Sequence, residues 1–164
     1  MTYTIKSTPP RSHTSMPCMQ TKPPLVYACS GCSGAAQMAN QMALWLDREG
    51  AAEMSCIAGV GGGVLSLVRT AQSRRPILAL DGCVLKCVSA CLSNAGVSAD
   101  TLLVLSDYDV KKCKHADFDA AQAADVYARA VLPAALALRA GDERWARAAA
   151  TGDAPTDRVA THAT

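Results

Sequence analysis

Short apolar runs alternate with longer amphipathic stretches through the middle of the chain. Four runs read as strands: Pro24 to Ala28 (PLVYA), Glu53 to Ile57 (EMSCI), Pro76 to Leu80 (PILAL) and Thr101 to Leu105 (TLLVL). Each is followed by a helical pattern. Ala35 to Arg48 consists of good helix formers and is closed by Gly50, a C-cap residue. Val64 to about Ser73 follows the second strand, Cys83 to Asn94 the third, and a long Ala-rich helix from Asp119 to about Arg139 the fourth, with Pro133 expected to kink it.

Parallel strands need crossover connections, and those crossovers are right-handed, so four strand–loop–helix repeats predict one parallel sheet with helices on both faces. The strand runs are apolar without alternation, as covered strands are. The expected fold is therefore α/β, a doubly wound three-layer sandwich of the Rossmann or flavodoxin kind with strand order 2-1-3-4. Ligands of such sheets bind beyond the carboxyl ends of the strands, near the switch point.

Outside this pattern the chain changes character. Residues 1–23 are rich in Pro, Ser and Thr, contain no acidic residue and show no period, which predicts an unpacked tail. From Arg147 the apolar pattern fades again. The domain is thus expected over 24–146, between an N-terminal tail of 1–23 and a flexible C-terminal tail of 147–164. A chain of 164 residues, half of them hydrophobic, is long enough for one core and short for two.

Charge and composition exclude several function classes. The net charge of +2 comes from mixed signs without a basic block, and two Trp, four Tyr and one Phe supply no stacking platform, so nucleic acid is discounted as a partner. No apolar run reaches the roughly 18 residues of a membrane span, and no signal-peptide core is visible, so a cytoplasmic protein without a membrane partner is expected. There is no Ser-His-Asp arrangement, GxSxG or HExxH, which argues against a hydrolase. Asp107 and Asp109 could meet a substrate at the ligand edge, but SDYD is equally ordinary loop chemistry.

In a reducing compartment the eight cysteines read as metal ligands or reactive thiols rather than disulfides. Their placement is the strongest signal. Cys29 and Cys32 follow strand one, Cys56 closes strand two, Cys83 and Cys87 follow strand three, and Cys113 lies after strand four, all at one edge of the sheet. Cys29 and Cys32 form a CxxC turn. Cys83, Cys87 and Cys91 recur every four residues, so on one helix they share a face, with Cys83 near the helix N-terminus, where a thiolate is favoured. Thiolates select zinc, cuprous copper or an iron–sulfur cluster, and four in tetrahedral array make a closed zinc site. A CxxC redox or sulfur-transfer enzyme fits the same residues.

Blander readings stand beside these. Cys91 can simply pack on the sheet, and Cys18 is expected to be a surface thiol. The glycines of Gly59 to Gly63 read as a tight turn rather than an anion cradle, since no P-loop Lys-Ser/Thr follows. Asp81 is expected to cap the third helix. His115, in the lysine-flanked KKCKH, reads as solvated loop, and His13 and His162 lie in the tails.

The residues ILALDGCVLKC around Asp81-Gly82-Cys83, ACSGCSG from Ala28 to Gly34 and EMSCIAG from Glu53 to Gly59 resemble the DGC domain family, small bacterial proteins described as zinc-binding. The resemblance covers roughly residues 24 to 125. It implies a cysteine-based zinc site whose recurring thiols are Cys29, Cys56, Cys83 and Cys87, with Cys32, Cys91 and Cys113 auxiliary. Neither tail has a counterpart in it.

Overall fold

A computed structural model describes residues 22–151, and the four apolar runs supply its strands: β1 (Leu25–Ala28), β2 (Glu53–Met54), β3 (Ile77–Asp81) and β4 (Thr101–Val104). All neighbours pair in parallel, as the crossover argument predicted, and the order is β2-β1-β3-β4, the one expected for the doubly wound fold. Leu25 lies opposite Ile77 and Ala28 opposite Leu80, and on the other side of β3 Asp81 lies opposite Val104. Every residue of β1 and β3 is buried. Successive side chains of a strand point to opposite faces, so both faces of the sheet's centre are covered. The edge strands are less enclosed, with Glu53 of β2 and Leu102 of β4 exposed.

The helices are α1 (Gly34–Arg48), α2 (Ile57–Gly61), α3 (Leu65–Ala71), α4 (Cys87–Asn94), α5 (Ala120–Val126) and α6 (Leu132–Thr151). Ser33 caps α1 by accepting from the Ala36 N–H, and the buried face of α1, including Met38, Met42 and Leu46, packs on β1, β2 and β3. Asp119 caps α5 by accepting from the Ala121 and Gln122 amides. Tyr127 ties the C-terminal helices to α1, its ring meeting Trp45 edge-on at 5.2 Å and its hydroxyl donating to Glu49 Oε2 at 2.6 Å.

Four local expectations need correction. The Gly-rich stretch after β2 is not simply a tight turn, because Gly59 and Gly61 lie within α2. Consequently Cys56 does not close the second strand but occupies the N-cap position of α2. The helix after β3 begins at Cys87 rather than Cys83, preceded by Lys86 in the left-handed conformation at φ 50°. Lastly, the long C-terminal helix is interrupted by a π turn at Tyr127–Val131 and continues to Thr151. The wide turn falls just ahead of Pro133, whose missing N–H and bulky ring disturb an α ladder.

The expected N-terminal tail of 1–23, with Cys18 and His13, lies almost wholly outside the described residues, as does the end of the expected C-terminal tail, 152–164, with His162. No described helix is long and apolar enough to cross a membrane.

Candidate functional site

The carboxyl ends of β1 and β3 lie side by side at the point where the chain order reverses, and the residues that leave them build the thiol-bearing edge. The Cys29 amide still donates to Leu80 O at 3.1 Å, extending the ladder by one step. That contact sets Cys29 directly beside the start of the DGC tripeptide. Cys29 is 8% exposed, and its Sγ accepts from the Gly82 N–H at 3.0 Å.

Each residue of the tripeptide has a separate task. Asp81 is 1% exposed, and its carboxylate accepts from the Val88 amide at 2.9 Å, the Ser89 amide at 3.3 Å and the Ser89 hydroxyl at 3.2 Å. It therefore caps α4 from across the intervening loop, as expected, but from seven residues upstream of Val88 rather than from the position adjoining the helix. Gly82 is required by close approach: a Cβ there would meet Ala35 O at 2.6 Å, Ala35 C at 2.8 Å and Ala36 N at 2.9 Å, all backbone atoms of α1. Only without that Cβ can its N–H reach the sulfur. Cys83 then leaves the sheet half-buried, and Cys87 opens α4 exposed.

Burial holds the Cys29 thiol above the ordinary cysteine range, because an anion there loses its hydration. The Gly82 N–H opposes this, while negative charge on Asp81, Cys87 and Cys83 adds to it.

The remaining cysteines are more scattered. Cys56 and Cys32 are exposed, and Cys91 is half-buried against α2, where a Cβ on Gly61 would come within 2.8 Å of its Sγ. Cys113 is exposed on the loop after β4. That loop is strapped across the CSGCSG segment: the Gly34 amide donates to Cys113 O at 2.9 Å, the His115 amide donates to Cys32 O at 3.1 Å, and Ser33 and Lys114 form an antiparallel bridge. The strap makes KKCKH more than solvated loop, although its side chains remain exposed. It carries a residue that no spacing argument singled out. Lys112 Nζ donates to Cys83 Sγ at 3.3 Å.

The seven described cysteines are free thiols. Among the described residues no three Cys, His, Asp or Glu side chains stand together as a ready-made metal cage. What fits a soft metal is the donor chemistry, namely several thiols leaving adjacent strand ends with N–H groups directed at two of the sulfurs. A groove of about 340 Å³ lies nearby, with Met38, Val110, Cys113 and Phe118 in its wall, but Cys29, Cys83 and Cys87 do not line it. Asp109 also lines it, in a left-handed conformation, with its carbonyl accepting from Gln122 Nε2.

The family model of the DGC domain matches residues 25–130. The chain belongs to the DGC domain family. A curated relative, the anaerobic and virulence modulator AnvM of Pseudomonas aeruginosa, is 59% identical over 100 residues, a match that covers 61% of this chain and 76% of that protein. No solved structure matches the chain. Family membership spans all four strands, α1 to α5 and the strap, so the tripeptide and its neighbours belong to the shared domain.

Proposed function

We propose that this DGC domain protein binds zinc through cysteine thiolates at the carboxyl edge of its sheet, with Cys29, Cys83, Cys87 and Cys56 as ligands and Cys32, Cys91 and Cys113 as auxiliary thiols. The observation that carries the reading is the Gly82 N–H on Cys29 Sγ, made inside a loop that also delivers Cys83 and Cys87. Backbone donors to sulfur stabilise the thiolate form that a metal needs. Burial above all, with the negative charge of its neighbours adding to it, makes Cys29 resist losing its proton against the single opposing Gly82 N–H, and a soft cation would supply the compensating charge. Cys56 would complete the set from the N-cap of α2, just after the neighbouring strand, and the exposed thiols of Cys56 and Cys87 would have to turn inward on binding. Bound zinc would supply a structural or exchangeable cross-link.

The geometry favours this over the redox reading. An attacking thiol needs a lowered pKa and access, whereas Cys29, the attacking member of a Cys29–Cys32 pair, is buried with its pKa raised by that burial. Elemental analysis of full-length protein purified anaerobically without added metal tests the reading, with about one zinc per chain expected. Metal-free protein that takes up no zinc would sink it, and a brown protein containing iron and sulfide would replace zinc with a cluster on the same thiols.

A further inference from the structure

We infer that Lys112 is a charge-compensating and positioning residue of the thiolate site, donating to Cys83 and thereby strengthening metal binding. The inference rests on the zinc-binding reading above and deepens it.

The fold fixes the backbone from which the lysine's stem extends. The strap that carries it is pinned on the far side of Cys113 by the Gly34–Cys113 and His115–Cys32 backbone bonds and by the Ser33–Lys114 bridge. Gly34 allows the following part of the loop to come close, since a Cβ there would lie 3.0 Å from Asp117 O and 3.1 Å from Ala116 O. Lys112 directly precedes this clamped stretch, and its ammonium reaches Cys83 Sγ.

The charge around Cys83 explains why a cation belongs there. Several thiolates on one divalent ion leave excess negative charge, and at a partly buried edge water offsets it incompletely. Asp81 adds a buried negative charge that is committed to the α4 cap. The Gly82 amide serves Cys29, but it is neutral. Lys112 brings a full positive charge together with an N–H, so it lowers the repulsion among thiolates and restrains Cys83. Lys111 next to it lines the groove instead and provides an internal control.

The test is zinc affinity of the full chain, measured by competition with a chromophoric chelator, together with the absorption spectrum of the cobalt(II)-loaded protein. Lys112→Met is expected to weaken zinc binding by roughly tenfold or more, as loss of an outer partner of a metal ligand does. Lys112→Arg should recover most of the affinity, and Lys111→Met should match the parent. The sulfur-to-cobalt charge-transfer band should move to lower energy in Lys112→Met, because a sulfur that loses its N–H donor becomes a better electron donor; a role in folding alone would not move it. The inference is overturned if the parent binds zinc while Lys112→Met matches Lys111→Met in both affinity and cobalt spectrum. Failure of the parent itself to bind zinc would overturn the zinc reading and this inference with it, and that outcome is read from the parent alone.

Discussion

Replacing Gly82 with alanine tests whether the tripeptide works through close packing. The added Cβ would sit 2.6 Å from Ala35 O, whereas ordinary van der Waals contact begins at 3.4 Å. The loop and the first turn of α1 would have to part by roughly 0.8 Å, and no rotamer change relieves the clash because the opposing atoms are backbone. Overpacking of this kind costs about 2–3 kcal/mol, which lowers the melting temperature of a domain this size by roughly 6–12 °C. The same displacement pulls the Gly82 N–H from Cys29 Sγ, so zinc affinity should fall together with stability. Urea and thermal unfolding of metal-free protein measure the first effect, and chelator competition measures the second. Gly141→Ala is the matched comparison: nothing lies within 4 Å of its added Cβ, and within helix α6 alanine should stabilise by about 0.5–1 kcal/mol. If Gly82→Ala unfolds within about 0.5 kcal/mol of the parent, smaller than typical overpacking costs, the close-approach account of the tripeptide is wrong.

Asp81→Ala removes three accepted hydrogen bonds and leaves the Val88 and Ser89 amides without their cap, so a loss of about 1–3 kcal/mol is expected in urea unfolding. Tyr127→Phe should cost about 1 kcal/mol near neutral pH, the worth of one hydrogen bond from a buried tyrosine to an exposed carboxylate. It should also change the alkaline limb. Burial, followed by the bond to Glu49 and its charge, raises the Tyr127 pKa, so the stability it contributes is complete below the ordinary tyrosine value of about 10 and is lost as pH rises from there through the higher folded value. Unfolding free energies measured across that alkaline range should fall less steeply for Tyr127→Phe than for the parent. Among the thiols, Cys29→Ser and Cys83→Ser should abolish stoichiometric zinc uptake while Cys113→Ser retains it; the reverse pattern in elemental analysis would relocate the site.

The architecture was largely legible because the signals that define it are local. Continuous apolar runs of strand length at Leu25–Ala28 and Ile77–Leu80 mark covered parallel strands, and right-handed crossovers restrict how they connect. The Asp81 cap was legible from residue type. Less visible were the boundaries near cysteines. The start of α4 could not be read from the four-residue recurrence of Cys83, Cys87 and Cys91, because the cap that sets it reaches across a loop to Val88 and Ser89. The helical Gly59 and Gly61 misled because glycine favours turns by its own propensity, whereas in the fold α2 packs against α3 and α4.

By itself, then, the chain determined that one parallel sheet forms and that Cys29, Cys56, Cys83, Cys87 and Cys113 leave it at one edge, since each directly follows a strand or its first loop. Tertiary structure alone decided how those thiols are treated. The donor to Cys29 lies 53 residues away and the donor to Cys83 lies 29 away, so neither contact has a periodic or local signature. Both arise from backbone packing, of Gly82 against Ala35 and of the strap against the CSGCSG segment. That packing turns one cysteine of a motif into a buried thiol with a backbone donor and another into a half-buried thiol with a lysine beside it.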